Sequence, residues 1–366
     1  MTNQDVVYFS KMFQAVPALA QVERVLPGTF VSNRRSTLRA AKRIYPDLET
    51  ARYSKYLGRF SRGNRMLQDA GVIVTGSPYK GFLAPYAAKK CTVFHGTYTL
   101  LSREALERNS HFDLLCIIGP RMRSMIERYA GDIDLNTVET GFLPFCEFPD
   151  RTESFRLEML GRLGLNKQYK TLLYTPSRRG YGSWDSVAEQ ILMTAPREMN
   201  LILRPHPSQG LTPRRADKQS IQRLSSIARK RGNALIDLSD WPLSSYLAIA
   251  DVLVSDANSP AEESMFYDIP LIFTETEALG RKAVVENGRK AKLDQDHIDM
   301  RLSLFESGVC ADAASALDFT SLVSDALTSC DVFAKKRDNY AKWVFGHRDR
   351  LANVRVVEAI KSSFFN

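Results

Sequence analysis

The sequence predicts an α/β protein built of two doubly wound units, each with a parallel sheet covered by helices. Short apolar runs alternate with helix-like patterns almost throughout the chain, which is typical of parallel strands connected by helices. At 366 residues the chain is too long for one ordinary core and fits two domains of middling size. A charged segment with a helix-like period, between about Pro149 and Lys170, separates two series of apolar runs and marks the domain boundary.

The predicted strands form two series, one on each side of that segment. The first series is Val6–Ser10, Thr29–Ser32, Val72–Thr75, Thr92–Phe94, Leu114–Ile118 and Thr137–Thr140. The second series is Thr171–Tyr174, Leu201–Leu203, Ala234–Leu238, Val252–Ser255 and Leu271–Thr274. We predict domains at residues 1–160 and 161–345 and a C-terminal helix at residues 346–366. In such units the ligand crevice lies at the carboxyl ends of the strands, and we expect the two domains to face each other across a cleft.

Composition and hydropathy predict a soluble protein. The 44% hydrophobic and 25% charged content is that of a globular chain. No apolar run approaches the roughly 20 residues that span a bilayer, and the N-terminus MTNQDVVYFS lacks the pattern of a secretory signal. We therefore expect a cytoplasmic location. Five cysteines without a CxxC pair predict reduced thiols, with neither a disulfide framework nor a zinc site.

The net charge of +9 predicts an anionic partner, and the excess is concentrated in one segment. Between Asn33 and Met66 ten basic residues stand against two acidic ones, which gives this basic segment a charge of +8. Aromatic residues are interleaved with the charges, which suits an anionic membrane surface, such as the inner face of the cell membrane, or another polyanion. The alternative is a pair of solvated helices whose apolar residues face the core. Since no recognised nucleic-acid motif accompanies the charge, nucleic acid is not the expected partner.

The stretch from Asp251 to Thr274, DVLVSDANSPAEESMFYDIPLIFT, has the pattern of strand, loop, helix and strand. Ser259 can cap the helix, Pro260 suits its first position, and Glu262 completes a Ser-x-x-Glu capping box. Backbone N–H groups at such a helix start, beside the carboxyl end of a buried strand, can bind a phosphate or another anion. The alternative is a well-capped helix without a ligand.

A histidine follows another predicted strand. His95-Gly96-Thr97 comes directly after the apolar run CTVF. A histidine at a strand end can serve as a general base, and the glycine permits a tight turn or a close backbone approach. The alternative is a structural histidine.

Two further strand ends carry arginines. The loop PSRRG follows TLLYT and presents Ser177, Arg178 and Arg179, which suit a phosphate clamp. The loop RPHP follows LIL, and its two prolines hold His206 in a stiff segment beside the cation of Arg204, as a charge-stabilising site requires. The alternatives are a solvated arginine pair and an edge turn.

Together these stretches resemble the CDP-glycerol glycerophosphotransferase family, the enzymes that build teichoic acids and related capsule polymers on lipid carriers. The matching pieces, in chain order, are FHGT, GFLP, LLYTPSRRG, RPHP, DVLVSDANSPAEE and FGHRDRLANVRVVEAI. A set of matches in order is far more specific than any single motif. The resemblance implies a GT-B-like fold of two facing Rossmann-type domains, with the acceptor side in the N-terminal domain and the nucleotide donor in the C-terminal domain.

The resemblance also implies roles for individual residues. His95 matches the histidine that activates the acceptor hydroxyl, and Gly96 and Thr97 lie with it on the acceptor side. His206 is the second residue with a catalytic role, beside the donor pyrophosphate. The positions implied in donor or phosphate binding are Ser177, Arg178, Arg179, Arg204, Asn258, Ser259 and Arg355. No metal and no cofactor are expected.

The chain departs from the family at three places. Asp256-Ala257-Asn258-Ser259 stands where the family has Asp-Tyr-Ser-Ser, and Glu262-Glu263 replaces an aromatic-Asp pair. A carboxylate there resembles the ribose-binding acid of GT-B sugar transferases, so that Glu263 can hold the ribose hydroxyls of a nucleotide. Thr97-Tyr98-Thr99-Leu100 replaces the family's TPLK-like residues, which leaves the acceptor open.

The leading hypothesis is transfer of an alditol phosphate, glycerol phosphate first, from a CDP-linked donor to a hydroxyl of a lipid-linked or polymeric glycan. The first alternative is a GT-B glycosyltransferase that uses a nucleotide sugar, which Glu262 and Glu263 favour. The second alternative is a non-enzymatic protein that binds a polyanion, which the basic segment favours.

Overall fold

The computed structural model describes residues 5–97, 101–211, 213–239 and 241–365, without the side chains of Arg59 and Leu211. The chain forms two compact units. The first unit is Met1–Phe148 together with Lys342–Asn366, and the second is Pro149–Ala341.

The first unit contains a seven-stranded sheet. Its strands are β1 Val6–Phe9, β2 Thr29–Ser32, β3 Thr50–Arg52, β4 Val72–Thr75, β5 Lys89–Val93, β6 Leu114–Ile117 and β7 Thr137–Glu139. Its helices are α1 Val16–Glu23, α2 Arg35–Ile44, α3 Arg62–Asp69, α4 Lys80–Leu83, α5 Arg103–Glu107 and α6 Pro120–Ala130. The last helix of the chain, α17 Ala352–Phe364, packs into the core of this unit beside α1, through Val356, Val357 and Ile360.

The second unit contains a six-stranded sheet. Its strands are β8 Lys170–Thr175, β9 Met199–Leu203, β10 Ala234–Ile236, β11 Val252–Ser255, β12 Leu271–Glu275 and β13 Val309–Asp312. Its helices are α7 Glu153–Leu163, α8 Trp184–Thr194, α9 Pro207–Leu211, α10 Arg215–Arg231, α11 Leu243–Leu247, α12 Ser259–Ser264, α13 Arg281–Lys290, α14 Gln295–Leu302 and α15 Phe319–Thr328. Helix α16, Cys330–Phe345, begins in this unit and ends in the first.

The two sheets have the same strand order over their first six strands. The order is β3-β2-β1-β4-β5-β6-β7 in the first and β10-β9-β8-β11-β12-β13 in the second, and all pairings between described strands are parallel. The predicted fold class, two parallel sheets with helices, is thus confirmed. In each sheet the order reverses beside the first strand, between β1 and β4 and between β8 and β11. Ligands of doubly wound sheets bind outside the carboxyl ends of the strands at this point.

The buried central strands have the apolar runs by which they were predicted. The two strands that were not predicted, β3 and β13, are partly exposed. Every residue of β1, β2, β4, β6, β9 and β11 is buried, which is why these strands are short, continuous apolar runs. Strand β3 is only three residues long, Thr-Ala-Arg, and lies within the basic segment, while β13 ends in an exposed Asp312. Both are edge strands, where one neighbour is enough and charged side chains are tolerated.

The limits of the two units differ from the predicted domain limits at both points where the chain passes from one unit to the other. Helix α7 belongs to the second unit, because Arg156 donates hydrogen bonds to the carbonyls of Ile249 and Tyr169 at 2.8 and 2.7 Å. The C-terminal helix is part of the first unit's core and is not a separate element. Among the described residues, no helix combines the length and the apolar character needed to cross a membrane.

Candidate active site

His95 follows β5 and is held from the neighbouring strand β4. Its Nδ1 lies 2.8 Å from the carbonyl oxygen of Gly76, the residue after β4. A carbonyl can only accept, so Nδ1 carries the proton and Nε2 is the basic nitrogen. Burial lowers the pKa of His95, and the hydrogen bond to Gly76 opposes that shift. The ring is therefore neutral at neutral pH, as a general base requires.

Position 76 requires glycine because the segment that contains Ala15 packs closely against it. A Cβ on Gly76 would lie 2.7 Å from the Cβ of Ala15 and 3.4 Å from Nδ1 of His95. Only a residue without a side chain lets the segment before α1 pack at the end of β4 and leaves the carbonyl in place for His95. The tautomer of His95 therefore depends on packing that is distant in sequence.

Thr97 is buried and is held by a buried arginine that the sequence analysis did not single out. Arg121, in the first turn of α6, is fully buried and donates from Nη2 to the carbonyl of Thr97 at 2.6 Å. Its guanidinium lies 5.5 Å from the centroid of Trp343. Gly96, half-buried, lies between His95 and this anchor. The remaining residues of the predicted acceptor motif, Tyr98 to Leu100, lie outside the described residues.

In the second unit, Asp256 organises the loop between β8 and α8. Its Oδ2 accepts the backbone N–H groups of Ser177 and Ser183 at 2.6 and 3.2 Å, and its Oδ1 accepts the hydroxyls of Ser183 and Thr274 at 2.6 and 2.9 Å. Burial raises the pKa of this carboxyl, and the hydrogen bonds oppose the shift. The sequence marked Asp256 only as part of a motif, but the carboxylate fixes residues 176–183 at the switch point between β8 and β11.

Asn258 joins the same strand ends. Its Nδ2 donates to the carbonyl of Thr175 at 3.2 Å and to Oγ of Ser177 at 3.0 Å, while its Oδ1 accepts from the hydroxyl of Ser255 at 2.8 Å and from the N–H of Ala261 at 3.4 Å. Asn258 is therefore the N-cap of α12, and the prediction that Ser259 caps the helix was wrong by one residue. Because Asn258 takes the Ala261 N–H and Pro260 has none, the helix start offers fewer donors to an anion than predicted.

The two arginines of the loop have different surroundings. Arg179 donates through Nε to both oxygens of Asp185 at 2.9 and 2.7 Å and lies 3.5 Å from Asp217, so that two carboxylates balance its charge. Arg178 is exposed, and its charge acts on His206. Of the predicted clamp, Arg178 is thus the arginine that can meet a phosphate, and Arg179 holds the loop against α8 and α10.

His206 has the opposite ring protonation from His95. Its Nδ1 accepts the backbone N–H of Ser208 at 3.2 Å and lies 2.8 Å from Oγ of the same residue. Nδ1 is therefore unprotonated in the neutral ring, and Nε2 carries the hydrogen. Burial, and then the charge of Arg178, lower the pKa of His206. The side chain is a neutral hydrogen-bond donor at the end of β9.

Arg204 is largely engaged by the segment that follows β10. Its guanidinium donates to the carbonyls of Trp241 and Ser239, lies 3.5 Å from Oδ2 of Asp237 and stacks 4.3 Å from the centroid of Tyr246. Only 15% of the side chain is exposed. Its contacts favour a role in shaping the strand end on which His206 lies.

Gln209, which the sequence analysis did not single out, lies next to this loop. It is 2% exposed, and its Oε1 accepts the N–H of Arg179 at 3.1 Å. Within the described part of the chain, its Nε2 has no hydrogen-bond partner. A buried amide donor needs a partner, so this group marks a place where a bound molecule or a water completes the site.

The two glutamates of α12 also differ. Glu262 is buried and accepts the hydroxyl of Tyr340 at 2.8 Å, which makes it part of the core of the second unit. Glu263 and Ser259 are half-buried on the same short helix. Of the two carboxylates, Glu263 is the one whose side chain reaches the surface.

Arg355 lies in the first unit. Its guanidinium pairs with both oxygens of Asp349 at 2.6 and 3.0 Å, and its Nε donates to the carbonyl of Thr140 at 2.8 Å. Gly141 has a φ of 92°, and a Cβ there would lie 2.8 Å from Nη2 of Arg355. These contacts tie the C-terminal helix to the turn after β7. Among the described residues, no cluster of three or more His, Cys, Asp or Glu side chains could hold a metal ion.

Comparison with known proteins adds information on the fold. No protein-family model and no curated protein sequence matches the chain. Among solved structures, the wall teichoic acid polymerase TagF is similar at 12% identity over 100% of this chain and 90% of that one, with a TM-score of 0.67. A glycosyltransferase from Rickettsia africae matches at 13% identity over the full length of both chains (TM-score 0.57). Anabaena HepE, solved with UDP and glucose, matches at 10% identity over 98% of this chain and 100% of that one (TM-score 0.56). The chain therefore has the GT-B-like fold of these proteins.

Proposed function

We propose that this protein transfers an alditol phosphate, glycerol phosphate first, from a CDP-linked donor to a hydroxyl of a lipid-linked or polymeric glycan acceptor. One observation carries the proposal: the strand ends hold two neutral histidines with opposite ring protonation, a basic Nε2 on His95 and an Nε2–H on His206. Phosphoryl transfer to a hydroxyl needs a base for the hydroxyl proton and donors for the phosphate oxygens. The fold shared with TagF, one of whose structures was soaked with CDPG, supports the choice of a CDP-linked donor.

In the proposed reaction Nε2 of His95 removes the proton of the acceptor hydroxyl as its oxygen attacks the distal phosphorus of the donor. A new P–O bond forms to the acceptor, the bond between that phosphorus and the bridging oxygen of the pyrophosphate breaks, and CMP leaves. The Nε2–H of His206 and the guanidinium of Arg178 stabilise the negative charge on the phosphate oxygens, work that positioned donors can do.

The rest of the donor site is proposed from the same loops. Ser177 and Asn258, which share a hydrogen bond at 3.0 Å, and Ser259 lie at the switch point between β8 and β11. Gln209, whose Oε1 accepts the N–H of Arg179 in the same loop, adds a buried donor through Nε2. Glu263, with its side chain at the surface, holds the nucleotide ribose. Arg204, Arg179 and Arg355 act mainly through the segments that they hold.

A second candidate function is transfer of a sugar from a nucleoside-diphosphate sugar. Glu263 and the similarity to HepE, which was solved with UDP-glucose, favour it. The two reactions break different bonds, because sugar transfer breaks the anomeric C–O bond and releases the nucleoside diphosphate.

The experiment is a panel of CDP-glycerol, CDP-ribitol, UDP-glucose and CMP-linked donors, screened first by thermal shift and then by identifying the released nucleotide. Stabilisation by a CDP-alditol and release of CMP support the proposal. Release of UDP alone from the panel contradicts it and supports the second candidate. A matched His95→Gln variant controls for contaminating hydrolases.

We further propose that the basic segment places the protein on an anionic membrane, where a lipid-linked acceptor is found. Tyr56 and Phe60 are 95% and 90% exposed, and Leu57 lies between them, also exposed. Tyr45, by contrast, is buried in the core, so only part of the segment fits the alternative of a core-facing helix pair. Arg52, Lys55 and Arg62 flank this apolar tip in sequence and are exposed. Arg62 is paired with Glu49, so Arg52 and Lys55 supply the charge of an interfacial membrane contact.

Sedimentation with phosphatidylglycerol vesicles tests this contact. The variant Tyr56→Ser/Phe60→Ser is expected to bind at least tenfold less, while Tyr181→Ser/Met193→Ser, which removes two exposed apolar side chains from the second unit, binds as the unaltered protein does. Neutral phosphatidylcholine vesicles are the lipid control. Equal binding by both variants contradicts the membrane contact.

A further inference from the structure

The end of strand β1 carries a cluster of aromatic residues around one lysine. Phe9, the last residue of β1, stacks on Phe82 with ring centroids 4.3 Å apart, and Tyr53 and Tyr79 pack edge-on against these rings. Lys11 lies above, with its ammonium 5.3 Å from the centroid of Tyr79 and 5.0 Å from that of Phe82. We call these five residues the Lys11 cluster.

The backbone holds Lys11 in this position. Its N–H donates to the hydroxyl of Tyr79 at 3.1 Å, and its carbonyl accepts the hydroxyl of Thr37 at 3.3 Å. The side chain is half-buried, and within the described residues no carboxylate forms a salt bridge with it. A partly buried cation on aromatic rings, without a carboxylate, is a ready partner for an anion.

Tyr79 is held in an unfavourable backbone conformation. Its φ of 43° and ψ of 31° place it in the left-handed region, which residues other than glycine, asparagine and aspartate rarely adopt. Such strain is found where a side chain must be held for binding or catalysis. Here it keeps the tyrosine hydroxyl against Lys11 and 3.4 Å from Oγ of Ser10.

The Lys11 cluster lies at the same edge of the sheet as His95. The sheet order places β1, β4 and β5 side by side, and their carboxyl ends carry Lys11, Gly76 and His95. Ser77, next to the carbonyl that holds His95, donates its hydroxyl to Sδ of Met12 at 3.7 Å. Lys11 and His95 therefore follow strands that are two places apart in the same sheet, with the contact of Met12 and Ser77 at the strand ends between them.

We propose that the Lys11 cluster binds a phosphate group of the acceptor, next to the hydroxyl that His95 deprotonates, with the half-buried rings of Tyr53 and Tyr79 packed against its carbon chain. The ammonium supplies the charge, and the neighbouring hydroxyl of Tyr79 supplies a hydrogen bond. An acceptor that already ends in an alditol phosphate presents both groups. This inference rests on the proposed function, since it assigns the acceptor to the first unit.

Binding of a small acceptor fragment by the full chain tests the inference without catalysis. Titration calorimetry with sn-glycerol 3-phosphate is expected to show binding, with at least tenfold weaker affinity in Lys11→Met, which keeps the stem of the side chain. Lys361→Met, at an exposed position of α17 in the same unit, binds as the unaltered protein does. Glycerol, which lacks the phosphate, and inorganic phosphate, which lacks the carbon chain, bind more weakly than the intact probe. Equal affinity in both lysine variants, or no binding by the unaltered protein, overturns the inference.

A kinetic measurement separates this inference from the proposed function. Lys11→Met is expected to raise KM for a phosphate-bearing acceptor at least tenfold and to leave KM for the donor unchanged. An unchanged acceptor KM, in an enzyme that releases CMP, overturns the inference and leaves the proposed function in place. Absence of transfer by the unaltered protein with every CDP-linked donor contradicts the proposed function, and the binding experiment then still decides whether Lys11 holds a phosphate.

Discussion

His95 and His206 occupy comparable places, each just after a parallel strand, but the backbone around them protonates opposite ring nitrogens. The carbonyl of Gly76 takes a hydrogen from Nδ1 of His95, whereas the N–H of Ser208 gives one to Nδ1 of His206. Burial is the first cause that lowers the pKa of both, so both rings are neutral at neutral pH. The difference between the two rings therefore comes from a single backbone partner and not from the degree of charge.

The two roles that we propose depend on this difference. A histidine whose Nε2 has a lone pair can accept a proton, and one whose Nε2 has a hydrogen can donate to a phosphate oxygen. Local backbone features hold the hydrogen-bond partner of each histidine in place. Gly76, whose carbonyl binds His95, permits the close approach of Ala15. Pro205 and Pro207 restrict the segment around His206.

Replacing the two histidines should affect different constants. His95→Gln is expected to lower kcat by about 10²–10⁴-fold, the range typical of a general base, with donor affinity nearly unchanged. His206→Gln, which removes a donor to the phosphates, is expected to weaken donor binding as well as turnover. CMP release gives the first quantity and calorimetric titration of the donor gives the second. Parallel losses of both quantities in His95→Gln would show that His95 is structural.

A substitution in residues 176–183, the loop that Asp256 holds, should affect the second unit, where His206 lies, and not the surroundings of His95. A Cβ on Gly182 would lie 2.3 Å from Oδ2 of Asp256 and 2.7 Å from the carbonyl oxygen of Ser177. Gly182→Ala is expected to lower the free energy of unfolding by about 1–3 kcal/mol, as overpacking does, and to weaken donor binding. Gly210→Ala, where the nearest atom is 3.6 Å away, is the control. Urea unfolding measures the first effect, and unchanged stability in Gly182→Ala would contradict the described loop.

The smallest expected effect is on the pKa of His206. Because the charge of Arg178 disfavours the imidazolium, Arg178→Gln should raise the pKa of His206 and leave that of His95 unchanged. Arg179→Gln should not raise it, since Arg179 is paired with Asp185 and Asp217. NMR titration of the ring protons measures both values. If Arg179→Gln raised the pKa of His206 as much as Arg178→Gln does, the two arginines would have equivalent surroundings, which would contradict the structure.

The sequence was sufficient for the parallel sheets because their buried strands are continuous apolar runs between helix-like segments. It was insufficient for β3 and β13, since a short edge strand with charged residues has the pattern of a loop. The cap of α12 was assigned to Ser259 because serine and asparagine both suit that position. Only the structure shows that contacts with Ser177, Thr175 and Ser255 fix the side chain of Asn258 there.

The polar motifs at the strand ends could likewise be located from the sequence. The protonation and the hydrogen-bond partners of each residue could not be predicted in this way. The proton on His95 depends on a carbonyl 19 residues away, and the role of Asp256 depends on four donors from distant segments. Arg121 and Gln209 gave no signal, because a single arginine or glutamine outside a motif is ordinarily a surface residue. Arg178 and Arg179 are adjacent in sequence, and only the positions of Asp185 and Asp217 distinguish them.

Long-range proton–nitrogen correlation NMR at neutral pH tests the difference between His95 and His206 most directly, because it identifies which ring nitrogen of each histidine carries the hydrogen. The chain has five histidines, and His95→Gln and His206→Gln assign the two signals. The structure predicts the hydrogen on Nδ1 of His95 and on Nε2 of His206. The same protonated nitrogen in both rings would contradict the assignment of base and donor on which the proposed reaction rests.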